Sequence, residues 1–159
     1  MLLNSGYGVK DKLLLIMIKE NKDLLLKDLC SRLLYGVKCQ IQEDQYTYIG
    51  TLCRIEVDDK NGHLLDFAES INGLDCQVYL SEAKPYLFPL SSMTEEQKKE
   101  YNSWRDFAST YHYEFGDIVE DTELYDNWES IDYLIANHFD YRGLIPMGLA
   151  IDATGLNIY

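Results

Sequence analysis

The densest group of chemically capable side chains is HFDYR, residues 138–142, where His138, Asp140 and Arg142 alternate within five positions. An imidazole beside a carboxylate could act as a general base while the guanidinium holds an anion, as in many hydrolytic sites. The same trio has a structural reading: an imidazole near a helix C-terminus interacts favourably with the helix dipole, and an Asp–Arg pair can staple a turn. Nothing else in the chain strengthens catalysis. It has no G-x-S-x-G, no H-E-x-x-H and no Cys–His pair at a nucleophile's spacing. No catalytic residue is therefore assigned. His138 and Asp140 are the candidates a small hydrolase would use, and Arg142 is a candidate for binding.

A second constellation is YHYEFGDIVEDTELY, residues 111–125. Glu114, Asp117, Glu120, Asp121 and Glu123 could in principle gather a divalent cation, but calcium loops need acids at alternate positions around a glycine and a closing bidentate Glu, a spacing this stretch lacks. No metal is expected. The acids read as a solvated face, flanked by Tyr111, Tyr113 and Tyr125 in a linker where they would be exposed, and tyrosine is enriched at interface hot spots. These residues, with Arg142, form the candidate binding set. The glycine-bearing stretches at residues 6–8 and 143–155 match neither phosphate-loop pattern, so no nucleotide cofactor is implied.

Charge separates the two halves. The chain carries -13 overall; residues 106–159 contain eleven acids and one basic residue, Arg142, whereas residues 1–105 are nearly balanced, with 13 Lys+Arg against 16 Asp+Glu. Such a field disfavours contact with nucleic-acid phosphates or an anionic membrane, and favours a basic partner. The longest apolar run, LLLIMI at 13–18, is far shorter than the ~20 residues of a membrane span. Cys30, Cys39, Cys53 and Cys76 contain no C-x-x-C pair, which fits free, mostly buried thiols in a reducing cytoplasm.

The elements that must position these groups follow from periodicity. Residues 1–16 show no sustained period and Met17 opens a stretch like a natural start, so 1–16 read as an extension and 17–159 as one domain. Asn21 can cap a helix whose stripe is Leu25, Leu26, Leu29, Cys30, Leu33 and Leu34, ended by Gly36. In the strand that follows, Ile49, Thr51, Cys53, Ile55 and Val57 share a face. Asn61-Gly62 and Asn72-Gly73 suit tight hairpin turns leading to strands with Leu65, Phe67 and Ile71, then Leu74, Cys76, Val78 and Leu80. Pro85 and Pro89 bracket an extended connector. Thr94 with Gln97 signs a capping box for a helix with Tyr101, Trp104, Phe107, Ala108 and Tyr111 on its apolar side. A further helix starts near Asp126, with Trp128, Ile131, Leu134, Ile135 and His138 on one stripe. Leu144, Ile145, Leu149 and Ile151 then dock the closing segment. The expected fold class is α+β: an N-terminal helix, an antiparallel meander of three to four strands, two C-terminal helices and a docked C-terminal segment.

Three stretches, NKDLLLKDLCSRLLYGVK, PYLFPLSSMTEEQKKEY and HFDYRGLIPMGLAIDATG, occur here in that order. Together they resemble a group of small uncharacterised proteins of anaerobic gut bacteria and their phages and mobile elements, over roughly residues 17–159. That resemblance implies a setting, an accessory gene product in the cytoplasm of a bacterial host, and transfers no activity, cofactor or site residue. The leading expectation is a non-enzymatic acidic protein that engages a host defence or regulatory protein with a basic surface, by imitating nucleic acid and without binding it directly. The alternatives are a nucleotide or small-ligand sequestering protein, with tyrosines stacking a base and Arg142 or Arg105 meeting a phosphate unless a homo-oligomer brings in Lys98 and Lys99, and a hydrolase built on His138 and Asp140.

Overall fold

The structure, a computed structural model, describes residues 9–58, 62–71, 74–114 and 128–159, the side chains of 9–16, 69–71, 74 and 105–114 not included. Helix α1 runs Val9–Arg32, so Asn21 is an interior position and not a cap. Residues 17–20 are all exposed, so this stretch of α1 carries no apolar stripe to read. From Leu24 onward α1 lies on the sheet through buried Leu25 and Leu29, with Leu24, Leu26 and Leu33 packed beside them. Cys30 and Leu34 leave the expected stripe for solvent, Leu34 at 92% exposure. Asp28 and Arg32, both fully buried, take the inward positions instead. A 3-10 turn, Leu33–Tyr35, and Gly36 at φ 66° end the helix as expected.

The strands β1 (Lys38–Glu43), β2 (Tyr46–Glu56), β3 (Leu64–Ile71) and β4 (Leu74–Tyr79) form the antiparallel meander. Two further strands complete a sheet of order β4-β3-β2-β1-β5-β6. β5 (Ala83–Leu87) pairs antiparallel with β1, and β6 (Ile151–Asp152) pairs parallel with β5. The proline-bracketed connector is thus a strand with Pro85 buried inside it. Pro85 is tolerated because β6 pairs only with Tyr86 and Leu87, so the sheet has an open edge alongside the proline, where a missing donor costs little.

Directly opposed residues share a face, and the pairs Leu52↔Phe67, Leu65↔Val78 and Ile41↔Ala83 build the inner one against α1. The expected inner face of β2 is corrected by a bulge. Cys53 has no opposite number between Leu52↔Phe67 and Arg54↔Asp66, so inward parity passes from Leu52 to Ile55. Ile49, on the outward parity before the bulge, is 44% exposed, and Val57, one residue past the end of β2, is 59% exposed. Among the cysteines only Cys39 is buried; Cys76 is half-buried and Cys30 and Cys53 are exposed. Residues 57–63 join β2 to β3, a longer loop than a two-residue turn, with Gly62 at φ 96° donating its amide to the Asp58 carbonyl at 3.1 Å. Asn61 and Asn72-Gly73 lie outside the described residues.

Helix α2 (Glu95–Glu114) opens on the expected capping box: the Thr94 amide donates to Gln97 Oε1 at 2.8 Å and the Gln97 amide to Thr94 Oγ1 at 3.2 Å. It contains Tyr111 and Tyr113, which are helical residues and not part of a linker. Helix α3 (Trp128–Ala136) buries Leu134 and Ile135, whereas Trp128 in its first turn is 85% exposed and off the packed stripe. Leu134, Met93 and Phe139 form a second small core, bordered by Phe88, Tyr101, Tyr133 and Tyr141. No helix among the described residues is long and apolar enough to cross a membrane.

Candidate functional site

The trio at 138–142 sits where α3 ends. The Phe139 amide donates to the Leu134 carbonyl at 2.8 Å and the His138 amide to that of Ile135 at 3.1 Å. This double closure requires a left-handed residue between them, and His138 supplies it at φ 59° where glycine would be cheapest. Its ring lies flat on Tyr159, centroids 4.0 Å apart at 13°, an attraction that offsets the backbone strain. His138 is buried and its Nδ1 has no hydrogen-bond partner. Burial, and secondarily the Arg32 guanidinium, push its pKa down to about 4. The imidazole is therefore neutral near pH 7, and the favourable cation–dipole contact expected at this helix end is not made.

Asp140 is held by the fold and holds it. Its amide donates to the Phe88 carbonyl at 2.8 Å, beside the Phe88 amide that donates to the His138 carbonyl at 2.9 Å, extending the line of β5. Each carboxylate oxygen accepts one amide at 2.8 Å, Oδ1 from Leu144 and Oδ2 from Ile145. The turn is stapled as anticipated, but by Asp140 and backbone alone. Arg142 faces elsewhere: its guanidinium sits 4.7 Å from the Tyr141 ring centroid and its Nε 3.5 Å from Asp28 Oδ1, at ion-pair distance without hydrogen-bond alignment.

The centre of this region is a pair absent from the sequence-based candidates. Arg32 donates from Nε to Asp28 Oδ2 at 2.7 Å and from Nη2 to Oδ1 at 3.1 Å, both side chains fully buried. Its remaining donors reach across the molecule, Nη1 to the Ile135 carbonyl at 3.3 Å and Nη2 to that of Phe139 at 2.8 Å. The Ile135 carbonyl lies in the last turn of α3 and the Phe139 carbonyl just beyond it, so Arg32, in the last turn of α1, adds bonds at the end of α3 beside those from the His138 and Tyr141 amides. Tyr141 lies between the two arginines, 5.6 Å from the Arg32 guanidinium carbon. The clue in the sequence was Asp28 and Arg32 at i and i+4, which share a helix face with Leu25 and Leu29; on a helix pressed to a sheet that face is interior.

Tyr159 closes the assembly. Its hydroxyl accepts the Lys38 amide at 3.2 Å and donates to the Tyr86 carbonyl at 2.8 Å. Cys39↔Pro85 is the last β1–β5 pair at this end, so the phenol stands where Lys38 and Tyr86 would otherwise have bonded directly. Lys38 Nζ also donates to the Ile158 carbonyl at 2.7 Å. Burial raises the phenol's pKa, keeping it protonated as a donor.

Chemically, this arrangement spends the groups a hydrolase would need: both Asp140 oxygens hold amides, and Arg142 is turned to Asp28 and Tyr141. Among the described residues no three of His, Cys, Asp and Glu gather as metal ligands. Of the acidic binding set, Tyr111, Tyr113 and Glu114 lie at the end of α2, their side chains not included in the description. Asp117, Glu120, Asp121, Glu123 and Tyr125 fall outside the described residues. The structure thus brings together His138, Asp140 and Arg142 from the candidates, and adds Asp28, Arg32, Tyr141 and Tyr159. Comparison with protein-family models, with curated proteins and with solved structures gives no match.

Proposed function

We propose that this is a non-enzymatic binding protein of a phage or mobile element whose acidic second half engages the basic surface of a host protein, imitating the phosphates of a nucleic acid. The observation that carries this reading is the commitment of Arg142. It is the one cation among residues 106–159, and it is drawn to the buried Asp28 and stacked on Tyr141. The sequence of this half holds no second basic residue, and Asp132 and Asp152 stand exposed. A surface rich in charge of one sign steers and holds an oppositely charged partner. The hydrolase reading draws no support from this geometry, since His138 Nδ1 has no hydrogen-bond partner and Asp140 is turned to the Leu144 and Ile145 amides.

The test is capture of host proteins on the immobilised chain at about 0.05 and about 0.5 M salt, where screening lengths differ severalfold. Duplex DNA should compete with the chain for the eluted partner, which should also leave at high salt and bind poorly to a Glu120→Gln/Asp121→Asn/Glu123→Gln variant. Retention that ignores salt, DNA and the triple substitution alike would refute charge mimicry.

A further inference from the structure

Away from the acidic half, a cleft of about 670 Å³ opens between α1, the β2–β3 loop and the end of β4. That volume falls within the roughly 300–1,000 Å³ range of small-molecule sites. One wall is α1, where Lys19 and Lys22 stand three residues apart on a single face; neither ammonium has a carboxylate of the described residues within ion-pair distance. The opposite wall holds His63, whose Nδ1 accepts the Asp58 amide at 3.2 Å. With Nδ1 acting as acceptor, a neutral His63 carries its proton on Nε2, which becomes a donor. Ser81 adds a hydroxyl in the 3-10 turn Leu80–Glu82.

The walls are built rather than incidental. The Leu80 amide donates to the His63 carbonyl at 3.0 Å, locking the loop to the end of β4. Gly62, at φ 96°, brings the loop backbone against the Tyr79 ring, where an added Cβ would stand 3.6 Å from it. The half-exposed Tyr79 ring thus lines the cleft, and the carboxylates of Asp23 and Asp58 complete its border.

We infer that this cleft binds a mononucleotide: two ammonium groups, an imidazole N–H and a hydroxyl for the phosphate, an aromatic face for the base, and the Asp23 carboxylate to accept from a ribose hydroxyl or an exocyclic amine. Two neighbouring ammonium groups with no ion-pair partner among the described residues, opposite a tyrosine, suit a phosphorylated ring better than an uncharged ligand or a bare anion. The site lies on the balanced half of the chain and stands or falls independently of the acidic surface.

The experiment is titration of the isotope-labelled full chain with adenosine and cytidine monophosphates, and separately with inorganic phosphate and the matching nucleosides, read by amide chemical shifts. Shifts clustered at Gly62, His63, Leu80 and Ser81, saturating with at least one nucleotide, are expected. A Lys19→Gln/Lys22→Gln variant, altered only at exposed positions, should fold normally and bind about tenfold or more weakly. Tyr79→Leu should weaken nucleotide binding without changing the response to phosphate. The inference is overturned if no nucleotide shifts these amides, if the double lysine variant binds as well as the parent, or if phosphate alone binds as tightly as the nucleotide.

Discussion

At the scale of single residues, the Asp28–Arg32 pair has the largest predicted effect on stability. A buried ion pair is a net gain only when its geometry and remaining hydrogen bonds are good, and here the carboxylate takes Nε and Nη2 while Nη1 and the second N–H of Nη2 meet carbonyls. Removing one partner strands the other: Asp28→Ala should cost about 3–5 kcal/mol in chemical denaturation. Asp28→Leu/Arg32→Met should cost less than the sum of its singles, and strict additivity would mean that the two charges do not stabilise one another. His138 gives a second prediction with a defined sign. The unfolded chain protonates this imidazole near its ordinary value of 6.5, the native state only near 4. Between those values the unfolded state holds more protons, so stability is complete above about pH 6.5 and declines as the pH falls toward 4. His138→Asn, which tolerates the left-handed conformation, should flatten that part of the pH profile while lowering stability near pH 7 through loss of the Tyr159 stack. An unchanged slope would place the proton uptake elsewhere.

At the scale of elements, the β2 bulge and the fate of the cysteines can be read with a thiol reagent. Cys30 and Cys53 are exposed in the folded chain and should react before unfolding, though more slowly than free cysteine because partial burial raises both pKa values. Cys39, enclosed and pushed up by burial and by Asp28, should react only with unfolding. Prompt modification of Cys39 would contradict the packing of α1 on β1. The α2 cap is equally accessible, with Thr94→Ala expected to cost about 0.5–2 kcal/mol. How legible each element was depends on whether its signal is local. The Thr94–Gln97 box and the Gly36 stop are decided by neighbouring residues, and both were readable. Residues 17–20 of α1 are exposed and offer no apolar stripe, and the bulge at Cys53 reverses a parity that alternation alone cannot see. β5 was hidden because Pro85 argues against a strand unless the short partner beyond it is already known. The site divided in the same way: Asp140 stapling its own turn is a local matter, while Arg32 reaching Ile135 and Phe139 depends on how two distant helices pack.

At the scale of the whole molecule, the first and last parts of the chain interlock. Arg32 bonds the end of α3, Lys38 holds Ile158, and Tyr159 completes the β1–β5 ladder before stacking on His138. The sheet therefore cannot lose its closing segment without uncovering a buried arginine, a buried imidazole and the interrupted end of a ladder. This topology couples sheet, α3 and chain end into one cooperative unit, since each covers polar groups of another. Tyr159→Phe isolates the coupling, because it keeps the ring on His138 and removes only the hydroxyl. The Tyr86 carbonyl then loses its donor in a buried residue, while the Lys38 amide lies in a more exposed bond that water can replace. The expected cost is accordingly near 1 kcal/mol, at the low end of the range for an unsatisfied group. Native-state amide exchange should show faster exchange at Lys38. Leu52, whose amide donates to the Val37 carbonyl inside the sheet, should lose only the protection that the global change in stability demands. If Lys38 keeps its protection and the denaturation midpoint stays in place, the phenol is a surface ornament and the closing segment is held by its backbone bonds alone.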